Sequence, residues 1–197
     1  MGISHNYLDK DEDCDNISLD NSLCDKDSFF FRHNINDINK NDYFQTPSDD
    51  VLISLRIPHK LRIFHYRRCD MRYKLPEIGL SNNSLEYIDA SFNALYDWQG
   101  PFHNLHNLKY LDLSNNFCSN VSKTFFNGAP NLTSLFVGNN LLGFVLPNDH
   151  TGETFSSLRI LQTLDLAYNR ISNLPISLFK SQKYLRTLNL SGNMLEN

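Results

Sequence analysis

One nine-residue frame comes back along this chain, with apolar residues at its first, fourth and sixth positions and an asparagine at its ninth. It reads LEYIDASFN at 85–93, LKYLDLSNN at 108–116, LTSLFVGNN at 132–140, LQTLDLAYN at 161–169 and LRTLNLSGN at 185–193. A sixth copy, LRIFHYRRC at 61–69, keeps the apolar positions and puts Cys69 where the asparagine stands elsewhere. From Cys69 through Asn93, Asn116, Asn140 and Asn169 to Asn193 the steps are 24, 23, 24, 29 and 24 residues. A unit this short cannot bury its own apolar residues. Its neighbours must stack on it to make a continuous core, which restricts the chain to a one-dimensional array.

The residue types follow from that restriction. Alternation over the fourth to sixth positions turns the apolar side chains inward and the intervening ones outward, as a strand requires. The asparagine amide can donate and accept at a tight turn, satisfying backbone groups that would cost roughly 1–3 kcal/mol each if buried unpaired. A cysteine can take its place because a thiol is small and tolerates burial. Two further positions hold register. Five residues after the asparagine stands Trp98, Val121, Val145 or Leu174, and six residues before the next first leucine stands Phe102, Phe126, Phe155 or Phe179. This pattern is the leucine-rich repeat signature. It predicts an α/β solenoid, a horseshoe with a parallel concave β-sheet and an irregular or short-helical convex side. The 29-residue step holds an insertion around LPNDHTGET, 146–154, placed on the return side.

About six units fill residues 51–197. Residues 1–50 form a divergent acidic segment, read either as degenerate repeats, with SFFFRHNINDI (28–38) partly in frame, or as partly disordered. The last unit stops at LSGNMLEN without a polar capping repeat, so the chain is expected to be a fragment or truncation of a longer array. Charge is blocked. Residues 1–50 carry twelve acids against four Lys/Arg, whereas 56–74 carry Arg56, Lys60, Arg62, Arg67, Arg68, Arg72 and Lys74 against Asp70 alone. No secretory leader begins the sequence, and no apolar run is long enough to cross a bilayer.

With 24-residue units, phenylalanines in phase and stretches such as YLDLSNNFCSNVSKTFF, DASFNALYDWQGPF and NNLLGFVLP, residues 51–197 resemble the ectodomain of a Toll-like receptor, invertebrate members in particular. The resemblance implies an extracellular horseshoe that recognises microbial or damage-associated molecules and dimerises. A transmembrane helix and a cytoplasmic signalling domain, both outside this sequence, would complete such a receptor. The location implied is the extracellular side of the cell membrane.

Residues between the inward leucines line the concave face. Its central column is His65, Asp89, Asp112, Phe136, Asp165 and Asn189, and the next is Arg67, Ser91, Ser114, Gly138, Ala167 and Ser191. Asp and Ser are read as solvated strand residues. Phe136, with Tyr87 and Tyr110 nearby, is the candidate anchor for a protein or microbial ligand. The basic group Arg62, Arg67, Arg68 and Arg72 has two readings: an anion site for phosphate-bearing ligands, nucleic acid included, or pairing with acids at 9–27 or with Asp89. Pairing is favoured, since no base-stacking pattern accompanies the arginines.

Sequons occur at Asn16, Asn82, Asn120, Asn131 and Asn189, the last in the concave column. HNLH (103–106) is read as an ordinary return segment and His150 as a surface residue of the insertion. Cys69 and Cys118 are expected as free core thiols, while Cys14 and Cys24 are expected to bridge each other or to reach cysteines outside this sequence. No metal or other cofactor is expected, and no nucleophile, base and orienting group share a context that supports catalysis. The chain reads as a non-enzymatic binding module. The alternative is a leucine-rich repeat scaffold or adhesion protein, inside or outside the cell.

Overall fold

The computed structural model describes residues 53–55, 57–80 and 82–196. The acidic segment 1–50, with Asn16, Cys14, Cys24 and SFFFRHNINDI, lies outside them. Within them the chain runs β1 (Ile53–Leu55), β2 (Ile63–His65), β3 (Lys74–Leu75), β4 (Ile78–Leu80), β5 (Tyr87–Asp89) and β6 (Asp97–Trp98). It continues through β7 (Phe102–His103), β8 (Tyr110–Asp112), β9 (Asn120–Val121), β10 (Ser134–Phe136), β11 (Thr163–Asp165) and β12 (Thr187–Asn189).

Six of these strands, one per frame, form a parallel sheet ordered β12-β11-β10-β8-β5-β2. Equivalent frame positions pair without slippage: Phe64 with Ile88, Ile88 with Leu111, Leu111 with Leu135, Leu135 with Leu164, and Leu164 with Leu188. A one-residue slip would turn every leucine outward, and the buried face forbids it. Two smaller parallel sheets, β1-β4-β7 and β3-β6-β9, stack on the return path. The convex side expected as irregular or short-helical consists of these strands and 3-10 turns at 125–128, 142–144 and 146–148. The chain is therefore a solenoid with little helix.

Each frame asparagine ties its turn to the one before. Asn93 Oδ1 accepts from the Cys69 and Met71 amides at 2.9 and 3.3 Å, while Nδ2 donates to the carbonyls of Tyr66, Ala90 and Ser91. Asn116, Asn140, Asn169 and Asn193 repeat the arrangement on Leu95, Cys118, Leu142 and Ile171. These amides complete bonds that the short strands leave open, so Asn93, Asn116, Asn140 and Asn169 are buried with their side-chain amides paired. The residue before the asparagine is left-handed in every unit: Arg68, Phe92, Asn115, Asn139, Tyr168 and Gly192 have φ between 53° and 70°. Gly192 also leaves room for the Tyr168 ring, which a Cβ there would meet at 2.3 Å.

The phenylalanine ladder forms with one rung more than the sequence spacing gives. Phe102 meets Phe125, Phe125 meets Phe126, Phe126 meets Phe155 and Phe155 meets Phe179, at centroid distances of 5.2, 4.9, 5.8 and 6.3 Å. Trp98, fully buried, stacks on Phe125 at 5.5 Å. The insertion turns around the buried Asp149, whose carboxylate accepts from the Glu153 and Thr154 amides at 3.0 and 2.9 Å. Burial would raise its pKa, but these hydrogen bonds outweigh it and hold Asp149 below the usual carboxylate value.

The cysteines correct the sequence reading. Cys118 is a free, buried thiol as expected, its pKa pushed well up by burial. Cys69 is not free: it is disulfide-bonded.

Candidate binding face

Four aromatic side chains cross the concave sheet in contact. His65 meets Tyr87 at 5.1 Å, Tyr87 stacks on Tyr110 at 4.2 Å and 7°, and Tyr110 meets Phe136 at 4.9 Å. His65 and Phe136 stand at the third residue of their strands, whereas Tyr87 and Tyr110 stand at the first. The row is therefore an arc that starts on β2, bends across β5 and β8, and returns on β10.

The two tyrosines stack on each other, and each also meets a tilted ring, His65 or Phe136. Burial raises the pKa of both tyrosines above the ordinary phenol value. The hydrogen bond between them adds to the rise at Tyr110 and opposes it at Tyr87. Both phenols are neutral donors and acceptors at physiological pH.

Beside the stack runs a charge ladder at the second frame position of three successive turns. Arg62 Nε and Nη2 both lie 3.0 Å from Glu86 Oε1, and Lys109 Nζ lies 2.9 Å from Glu86 Oε2. The hydrogen bond from Lys109, with Arg62 behind it, lowers the Glu86 pKa. Arg62, Ile63, Glu86, Tyr87, Lys109 and Tyr110 line one open hollow of about 390 Å³.

The aspartates of the central column do local work instead. Asp89, Asp112 and Asp165 each accept through Oδ1 from the amide two residues on, at 2.8–2.9 Å, and Asn189 does so at 3.1 Å. These Asx turns end the strands. Asp89 is only 7% exposed, so the reading of it as a solvated strand residue is corrected: its carboxylate faces His65 at 3.8 Å and its own turn. Asp112 is partly buried. Burial first, and Asp89 second, raise its pKa against the opposing bonds from Ser114.

The arginines of the basic group have different partners. Arg62 pairs with Glu86 rather than Asp89, and Arg72 pairs with Asp70 at 2.8 Å. Arg67 and Arg68 lie over the Phe92 ring at 4.5 and 4.9 Å. Sequence reasoning missed Glu86, Lys109 and Phe92. The alternating sign of Arg62, Glu86 and Lys109 at one frame position was a usable signal for the first two.

Asn82, Asn120 and Asn131 are exposed. Asn120 donates to Asp97, Asn131 to the His106 carbonyl, and the partly buried Asn189 to Asp165. In the return segment His103 pairs with Glu77, and in the insertion Glu153 pairs with Lys123. His150 is exposed there. No helix among the described residues is long and apolar enough to cross a membrane.

A leucine-rich repeat family model matches residues 98–142 and 147–195. The chain is similar to Toll-like receptor 4 of Pinctada imbricata, 41% identical over 136 residues, which is 69% of this chain and 15% of that receptor. It is also similar to the CD180 antigen of Mus musculus, 36% identical over 115 residues, covering 56% of this chain and 17% of that protein. Tsukushi of Mus musculus is 36% identical over 88 residues, 44% of this chain and 23% of that protein. The chain therefore spans less than a quarter of the length of each. Frame, solenoid and family model agree: the chain belongs to the leucine-rich repeat proteins. Its repeats are those of a segment similar to a Toll-like receptor.

Proposed function

We propose that this array is a non-enzymatic binding module of a pattern-recognition receptor ectodomain, on the extracellular side of the cell membrane. It contributes to recognition of a protein or microbial ligand and to receptor pairing in innate immune signalling. The observation that carries the reading is the continuous arc His65–Tyr87–Tyr110–Phe136 on the concave sheet. Tyrosines held in a stack lose little entropy on binding, and aromatic and arginine side chains supply most binding hot spots. The Arg62–Glu86–Lys109 ladder borders the arc with oriented charges of both signs, which suits a polar partner surface. The similarity to Toll-like receptor 4 supports the receptor context. The disulfide at Cys69 supports an oxidising compartment.

The test is a reporter assay on the receptor that carries this array, challenged with microbial lipid, lipopeptide, protein and nucleic-acid preparations. Tyr110→Ala or Phe136→Ala lowers the response to one preparation at least about tenfold, the scale of a hot-spot loss. Thr163→Ala, on the polar end of the same face, leaves it unchanged. Equal responses from all three variants would remove the arc from the ligand site.

A further inference from the structure

We propose that Asn120 carries an N-linked glycan whose first N-acetylglucosamine lies on a cradle of three exposed aromatic rings, Tyr96, Phe117 and Phe144. Asn120, Val121 and Ser122 form an acceptor sequon. Side chains alternate along β9, so Val121 is buried and Asn120 points out from the return side. The backbone there is fixed twice: β9 pairs with β6, and the Asn120 carbonyl accepts from the Cys118 thiol at 3.0 Å. The Asn120 side-chain nitrogen donates one hydrogen to Asp97 at 3.0 Å. A primary amide carries two, so the second is available for the sugar and the bond to Asp97 survives.

The rings around Asn120 come from three successive turns. Phe117, 59% exposed, stands three residues before it on the same turn. Tyr96, 38% exposed, lies on the preceding turn, where its carbonyl accepts from the Ser119 amide at 3.1 Å. Phe144, 65% exposed, ends the 3-10 turn at 142–144 that lies against β9 from the following side. Exposed aromatics gathered on three turns form an apolar patch that calls for a cover. The C–H face of a pyranose suits the negative face of an aromatic ring, and the sequon places such a sugar within reach. Asn189 has a different setting, half-buried on the concave sheet and bonded to Asp165. A glycan at Asn120 leaves from the return-side sheet β3-β6-β9 and does not cover the aromatic arc. Attachment rests on the extracellular placement proposed above. The Asn120 amide nitrogen displaces lipid pyrophosphate from the anomeric carbon of a lipid-pyrophosphate oligosaccharide. The N–C bond forms, the C–O bond breaks, and one amide proton passes to solvent.

The experiment is intact-glycopeptide mass spectrometry of the receptor that carries this array, expressed in an animal cell line. A glycosylated Asn120 peptide is the expected result. A bare Asn120 beside a glycosylated Asn82 or Asn131 would overturn the proposal alone. Bare asparagines at all three would overturn it together with the extracellular placement. Hydroxyl-radical footprinting then tests the cradle. Ser122→Ala removes the sequon and keeps Asn120, whereas Ser122→Thr keeps both the sequon and the hydroxyl. Loss of the glycan in Ser122→Ala should raise oxidation of Phe117 and Phe144 severalfold over the parent and Ser122→Thr. Tyr168, 63% exposed two turns further along, should oxidise at an unchanged rate, which shows that the fold is kept. Asn120→Gln should give the same rise as Ser122→Ala. Equal oxidation of Phe117 and Phe144 with and without the glycan would show that the sugar stands away from the rings.

Discussion

The two ends of the concave sheet share one scaffold and present different surfaces. From β2 to β10 the outward positions carry His65, Tyr87, Tyr110 and Phe136 in contact. On β11 and β12 the same positions carry Thr163, Asp165, Thr187 and Asn189. Beneath both, the leucines pair in the same register and the asparagines make the same bonds. Stacking fixes the inward residues, because each turn is the wall of the next. It leaves the outward residues free to differ. The change from aromatic to polar is thus a property of the surface, and it is where a partner can be distinguished.

The strongest way to break this comparison is to exchange interior and surface asparagines. Asn169 is fully buried, and its side chain bonds Leu142 N–H and the carbonyls of Val137, Leu166 and Ala167. Asn169→Ala leaves several of these groups unpaired at roughly 1–3 kcal/mol each, for a loss of at least about 3 kcal/mol in urea unfolding. Asn189→Ala removes bonds to Asp165 and Ser191 at a half-open surface, at about 1 kcal/mol. Similar losses at the two sites would mean that the surface asparagine is as structural as the ladder.

A smaller effect sharpens the contrast on the surface itself. The Tyr87–Tyr110 stack predicts a coupling of about 1 kcal/mol in a double-mutant cycle to Ala. The equivalent cycle on Thr163 and Thr187, paired across β11 and β12, should give less than about 0.5 kcal/mol. A stack that shows no coupling would be a chance proximity rather than a preorganised anchor.

The scaffold was legible in the sequence because its constraint is periodic: a wrong residue at one inward position damages two turns. Trp98 and Val121 fall on the buried column that their spacing indicates, at 0% and 5% exposure. Phe125 was missed because it lies one residue out of phase, although Trp98 and Phe102 both pack on it. The surface was legible only as a set of columns. That Tyr87 and Tyr110 lean together with His65 and Phe136 depends on diagonal reach between turns, which no frame position encodes. Asp89 was misplaced for a related reason. A strand residue that points outward can still be buried when its own turn and a neighbouring ring close over it.

The smallest expected effect lies beside the arc, at Asp112 on the strand that carries Tyr110. Its folded pKa is raised, by burial first, so the charged form is disfavoured in the native state relative to the unfolded chain. Its contribution to stability is therefore complete below the unfolded carboxylate value and is lost as pH rises through the raised folded value. Asp112→Asn keeps the Oδ1 acceptor for the Ser114 amide and removes the titration. The variant should match the parent in acid and become the more stable of the two as pH rises through that window, read from urea midpoints across the pH range. A parent that gains on the variant with rising pH would mean that the Asp112 carboxylate is stabilised by its surroundings. The aromatic end of the face would then tolerate charge as readily as the polar end.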